Sequence, residues 1–72
     1  MNVVTAYGPA EVAGWLDVTP AAVSNWRWRY GYWPVPPAVH VISGTVTFYG
    51  WFPEQKAAWL EWFRMYRAGD VP

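Results

Sequence analysis

The 72-residue sequence predicts a small α+β domain: two short helices, a proline-rich connector, a two-stranded β-hairpin and a C-terminal helix. Three observations carry that expectation. Proline opens two successive apolar segments, at Pro9 and Pro20; β-branched runs flank Ser43-Gly44; and aromatic residues recur at helical spacing from Trp59 to Tyr66.

The first helix is expected from about Pro9 to Leu16. Gly8 stands at its cap, Pro9 at its first position and Glu11 in its first turn, where the helix dipole favours negative charge. Asp17-Val18-Thr19 breaks the pattern. Thr19 is a good N-cap and Pro20 a good first residue, so a second helix runs from Pro20 through Val23 and Trp26 to about Tyr30. Two short helices across a three-residue turn make the helix-turn-helix supersecondary unit. Gly31 to Pro37 holds three prolines, which remove donors and bias their predecessors to extended conformations, so it reads as an extended connector. Ala38–Ile42 and Thr45–Tyr49 read as strands joined by a tight turn at Ser43-Gly44. Pro53-Glu54-Gln55 opens the last helix, which ends near Ala68 with Gly69 as its stop. Trp59, Trp62, Phe63 and Tyr66 form its apolar stripe; Leu60 and Met65 lie off it and leave room for a second apolar contact.

A chain this short buries only about 60% of its unfolded surface, so its core must be dense in large side chains. Seven Trp, five Tyr and three Phe supply them, and the 54% hydrophobic content argues against disorder. Residues 1–72 are expected to form one domain. With no cysteine, neither a disulfide framework nor a thiolate zinc site is available, and a reducing cytoplasm is the natural compartment. Met1 to Gly8 has neither the basic start nor the apolar run of a secretory signal, and no segment approaches the ~20 apolar residues of a spanning helix. No membrane partner is therefore expected. One Lys against four Arg, with abundant Ala, Gly, Pro, Val and Trp, hints at a GC-rich genome.

The ordered set Glu11-Val12-Ala13, Leu16-Asp17-Val18-Thr19, Val23-Ser24-Asn25-Trp26-Arg27, Trp33-Pro34-Val35-Pro36, Ser43-Gly44 and Ala57-Ala58-Trp59-Leu60 resembles the small winged helix-turn-helix proteins of the MerR superfamily, in particular AlpA-like regulators and bacteriophage excisionases. The resemblance runs from about Tyr7 to Phe63. It implies a winged helix-turn-helix fold, sequence-specific binding of double-stranded DNA, a bacterial host cell, and a role as an excisionase acting with an integrase or as a small transcriptional regulator. Further copies on adjacent sites are the other implied partner. Three departures stand out: Asp17 replaces the usual turn glycine, Phe52 replaces a capping Asp or Ser, and Ser43 to Tyr49 lacks the Arg or Lys that many wings place on phosphates.

If Val23, Trp26 and Tyr30 face the core, stepping 100° per residue places Ala21, Ser24, Asn25 and Trp28 outside, with Arg27 and Arg29 on opposite flanks. Those residue types suit a major groove. Asn bonds bidentately to adenine, Ser donates or accepts, Ala touches a thymine methyl, and Arg reaches guanine or phosphate. The helix N-terminus at Thr19 adds amide donors for a phosphate, and Ser43 and Thr45 are the hairpin's candidate DNA contacts. Arg27 has a second reading, stacking on a neighbouring ring or pairing with Glu11, and Trp28 suits either sugar-phosphate packing or a protein contact. A few phosphate contacts per copy would give a log–log salt slope of about −3 to −5. The competing function is a protein-interaction module that uses the aromatic surface of the same fold, which the net charge of +0 favours.

Catalysis is not expected. His40 has no second His or Cys for a metal, Ser43 reads as a turn residue, the five carboxylates form no inward pair, and no Gly-rich phosphate loop is present. No cofactor, metal or small-molecule ligand is therefore expected.

Overall fold

A computed structural model describes residues 5–71. Met1 to Val4, part of the segment read as no secretory signal, and Pro72 lie outside the described residues. The chain is α+β: helix α1 (Pro9–Leu16), α2 (Pro20–Arg29), strand β1 (Val39–Ser43), β2 (Val46–Gly50), a 3-10 turn (Pro53–Gln55) and α3 (Lys56–Arg67). No described helix is long and apolar enough to cross a membrane.

Local chemistry accounts for the first two helices. Asp17 closes α1 in the left-handed region, φ 56 and ψ 45, which lets the Asp17 and Val18 amides donate to the Gly14 and Ala13 carbonyls. The Thr19 Oγ1 accepts from the Ala22 amide at 3.2 Å, satisfying one of the free donors at the start of α2. These two caps, separated by Val18 alone, fix how α2 leaves α1.

The hairpin is antiparallel, with Val39 opposite Gly50, Val41 opposite Phe48 and Ser43 opposite Val46. Each strand therefore starts and ends one residue later than its composition suggests, and the two-residue loop is Gly44-Thr45 instead of Ser43-Gly44. Gly44 has φ 61 and Thr45 stays out of the positive region, so the loop is of the type that takes Gly at its first central position. At the hairpin's base a short bridge adds a third extended segment: Tyr7 and Trp51 exchange amide-to-carbonyl bonds, both 2.8 Å. Ala6 crosses so close that a Cβ on Gly50 would stand 2.9 Å from the Ala6 Cβ, which explains a glycine in a buried strand position.

Lacking an acidic or hydroxyl cap at Phe52, the chain starts its last helical segment by another route. Gln55 Oε1 accepts from the Phe52 amide at 2.8 Å, and Gln55 Nε2 donates to the Pro36 carbonyl at 2.9 Å. Pro53–Gln55 is accordingly 3-10, and α3 proper begins at Lys56. At the other end the Gly69 and Asp70 amides donate to Tyr66 and Met65, the expected glycine stop.

The core is Val12, Ala13, Leu16, Val23, Trp26, Trp33, Val35, Trp51 and Trp59. Trp51 is its hub: its ring meets Trp33 at 4.8 Å and Trp59 at 5.5 Å, both edge-on, and its indole N–H donates to the Val35 carbonyl at 2.8 Å. That bond anchors the proline-rich connector to the base of the hairpin. On α3 the stripe behaves as the spacing predicts, Trp59 buried and Trp62, Phe63 and Tyr66 packed against Trp26, while Leu60 remains exposed.

Candidate nucleic-acid interface

Helix α2 buries Val23 and Trp26 and half-buries Tyr30, so its opposite side faces out. Ala21, Asn25, Trp28 and Arg29 are exposed there at spacings of four, three and one, a continuous stripe on a helix; Ser24 flanks it half-buried. Trp28 stands at the stripe's centre, 74% exposed. Thr19 and the first amides of α2 lie at one end of the same surface. Ser43 and Thr45 are exposed at the hairpin tip.

The two arginines are in different situations. Arg29 is exposed, its guanidinium carbon 5.7 Å from the Tyr30 ring. Arg27 is half-buried and turned toward the hairpin: its Nη2 donates to the Tyr49 hydroxyl at 2.9 Å, and its guanidinium carbon lies 4.7 Å from the Tyr49 ring, 5.3 Å from Trp33 and 4.9 Å from Trp28. Tyr49 is in turn stacked on His40 at 5.3 Å. Arg27 therefore ties α2 to β2 across 22 residues of sequence, and of its two sequence readings the ring-stacking one describes its surroundings. Among the described residues neither arginine pairs with a carboxylate; the one ion pair there joins Arg64 and Glu61 on α3, where the guanidinium holds the Glu61 carboxyl below its ordinary value.

Charge is segregated along the chain in a way that the net value hides. All five carboxylates, Glu11, Asp17, Glu54, Glu61 and Asp70, fall outside Val18 to Pro53, and the formal charges within that stretch are Arg27 and Arg29 alone. α2, the connector and the hairpin thus present no acidic group to a polyanion. Summed charge conceals this pattern; plotting charge against position would have found it. The Arg27–Tyr49 bond carries no such sequence signal, because its partners are brought together by the hairpin's return. Among the described residues no group of three or more His, Asp or Glu gathers as a metal site would require.

Comparison with models of known protein families, with curated proteins and with solved structures gives no significant match.

Proposed function

We propose that the chain is a winged helix-turn-helix protein that binds double-stranded DNA through the outer stripe of α2. The observation that carries this reading is the stripe itself: Ala21, Asn25 and Arg29 exposed on a capped helix within a stretch that contains no carboxylate. Asn25 suits bidentate pairing with adenine, Ala21 contact with a thymine methyl, and Arg29 a guanine edge or phosphate, with Ser24 beside them. The α2 N-terminus at Thr19 receives a phosphate, and Ser43 and Thr45 offer hydroxyls from the hairpin tip. Arg27 serves as a positioning residue that sets the angle between α2 and the hairpin. By the resemblance of its motifs, the biological role is that of an excisionase working with an integrase, or of a closely related small regulator. One module of this size makes few contacts, so tight binding needs adjacent copies or a partner.

With Arg27 engaged by Tyr49, Arg29 and the α2 N-terminus supply about one or two phosphate contacts, so the salt slope per copy is about −1 to −2, shallower than composition alone suggested. The test is fluorescence anisotropy on pooled genomic duplexes at several salt concentrations. Wild type should bind at low salt with that slope. Asn25→Ala with Arg29→Ala should lose binding while the thermal midpoint stays unchanged.

A second reading, a protein-interaction module, is favoured by one observation: among the described residues the most exposed large apolar side chain is Trp28, at the centre of the stripe. Under it, Trp28→Ala abolishes partner binding and the Asn25 and Arg29 substitutions do not.

A further inference from the structure

The DNA reading uses Ala21, Asn25 and Arg29 and leaves aside the largest side chain of the same stripe. Trp28 is 74% exposed, and it is the one exposed large apolar side chain on α2. The rest of the stripe is small or polar, with half-buried Ser24 beside it, so the ring stands alone among hydrogen-bonding groups. The ring is also held. The Arg27 guanidinium carbon lies 4.9 Å from its centroid, and that guanidinium is tied to the hairpin by the 2.9 Å bond to the Tyr49 hydroxyl. An indole left in water gains nothing from burial in the free protein, and one already ordered loses little freedom when a ligand is laid against it.

We infer that Trp28 is a specificity-determining residue of the proposed interface, its indole covering the 5-methyl group of a thymine one step from the adenine that Asn25 pairs with. The inference rests on the DNA reading. Ala21, Ser24, Asn25 and Trp28 stand at i, i+3, i+4 and i+7, the spacing through which one side of a helix lying in the major groove reaches successive bases. At about 1.5 Å per residue, Trp28 lies about 4.5 Å along the axis from Asn25, close to one base-pair step of about 3.4 Å. The one apolar group that base edges place in that groove is the thymine 5-methyl, set among hydrogen-bonding atoms. A single ring set among Ser24, Asn25 and Arg29 has the matching pattern. A protein hot spot, in contrast, is ringed by further contacts that exclude water, and α2 exposes no second large apolar side chain to supply them. The ligand class is therefore duplex DNA with thymine beside adenine, recognised by its methyl group as well as by its phosphates.

The probe is the genomic duplex that the full chain retains at the highest salt, synthesised once with thymine and once with uracil, which gives one sequence with and without its methyl groups. Covering one methyl is worth about fourfold in affinity. In fluorescence anisotropy, wild type should bind the thymine duplex about fourfold or more tighter than the uracil duplex. Trp28→Ala should shrink that ratio by about fourfold, and Trp28→Phe, which keeps a ring, should preserve most of it. Trp28→Gln gives the same readout as Trp28→Ala should the alanine variant perturb the fold. Because the ratio compares two ligands on one protein, a merely structural role for Trp28 does not move it. A wild-type ratio of one, or a ratio unchanged by Trp28→Ala, overturns the inference and leaves the DNA reading standing on Asn25 and Arg29. A folded wild type that retains no duplex overturns both.

Discussion

Replacing Arg27 by alanine should weaken the fold itself, because its guanidinium is a tie between α2 and β2. The hydrogen bond to the Tyr49 hydroxyl is 2.9 Å long and charged on the donor side, and such a bond contributes about 1.5–3 kcal/mol. Half-burial puts it near the lower end. Contacts with the Tyr49 and Trp33 rings, at 4.7 and 5.3 Å, add about 0.5–1 kcal/mol together. Arg27→Ala should therefore destabilise by about 2–3 kcal/mol, which lowers the melting midpoint of a domain this size by about 10–20 °C. Tyr49→Phe, which removes one oxygen, should cost about 1–1.5 kcal/mol. Arg27→Lys keeps the charge without the planar fork and should fall between wild type and alanine. Chemical denaturation of the two single variants and the double variant measures the coupling directly, and about 1 kcal/mol or more is expected. An Arg27→Ala protein that melts like wild type, with no coupling to Tyr49, would refute the reasoning and return Arg27 to the free outer surface of α2. Arg29→Ala, by contrast, should leave the melting midpoint unchanged, because Arg29 is exposed.

Other substitutions probe the frame that holds α2 in place. Asp17→Gly removes a β-carbon from the left-handed position that ends α1, and a carboxylate from a helix C-terminus, so it should raise stability by about 0.5–1 kcal/mol in urea titrations. Gly50→Ala places a β-carbon 2.9 Å from Ala6 and should lower stability by about 1–3 kcal/mol, with loss of amide protection at Tyr7 and Trp51. Trp51→Phe and Trp59→Phe remove similar volumes from the core, but the first leaves the Val35 carbonyl unpaired, whereas the Trp59 indole N–H has no partner to lose among the described residues. Trp51→Phe should therefore be the costlier by about 1–3 kcal/mol, and equal melting points would argue against the Val35 bond.

Elements whose signals are local were legible in the sequence. Pro9 and Pro20 open their helices where expected, Thr19 caps α2, and the aromatic spacing on α3 identifies its inner face. The hairpin was legible as a hairpin, while its loop was not, since β-branched composition is the same on either side of Ser43-Gly44. A loop at Ser43-Gly44 would pair Ile42 with Thr45; the preference for Gly at the first loop position moves the pairing to Ser43 with Val46. That displacement changes each residue's partner and leaves its face unchanged, so the apolar side of the hairpin is the same in both registers. Contacts between distant segments stayed hidden: Tyr7 with Trp51, Gln55 with Pro36, and Arg27 with Tyr49 depend on chain return, and nothing within a window of ten residues encodes them. At the candidate site, the outward placing of Ala21, Asn25 and Trp28 followed from helical geometry; Ser24, expected with them, is half-buried, and the different fates of the two flanking arginines required the hairpin to be in place.

The central claim is that duplex DNA meets the outer face of α2, and backbone amide mapping tests it most directly. Titrating a retained genomic duplex into ¹⁵N-labelled protein at about 50 mM salt should shift the amides of Thr19 to Arg29 first and furthest, with smaller changes at Ser43 to Thr45 and little along α3. Shifts centred on α3 or on the Val41–Phe48 face, or a folded protein whose spectrum does not change as DNA is added, would contradict it.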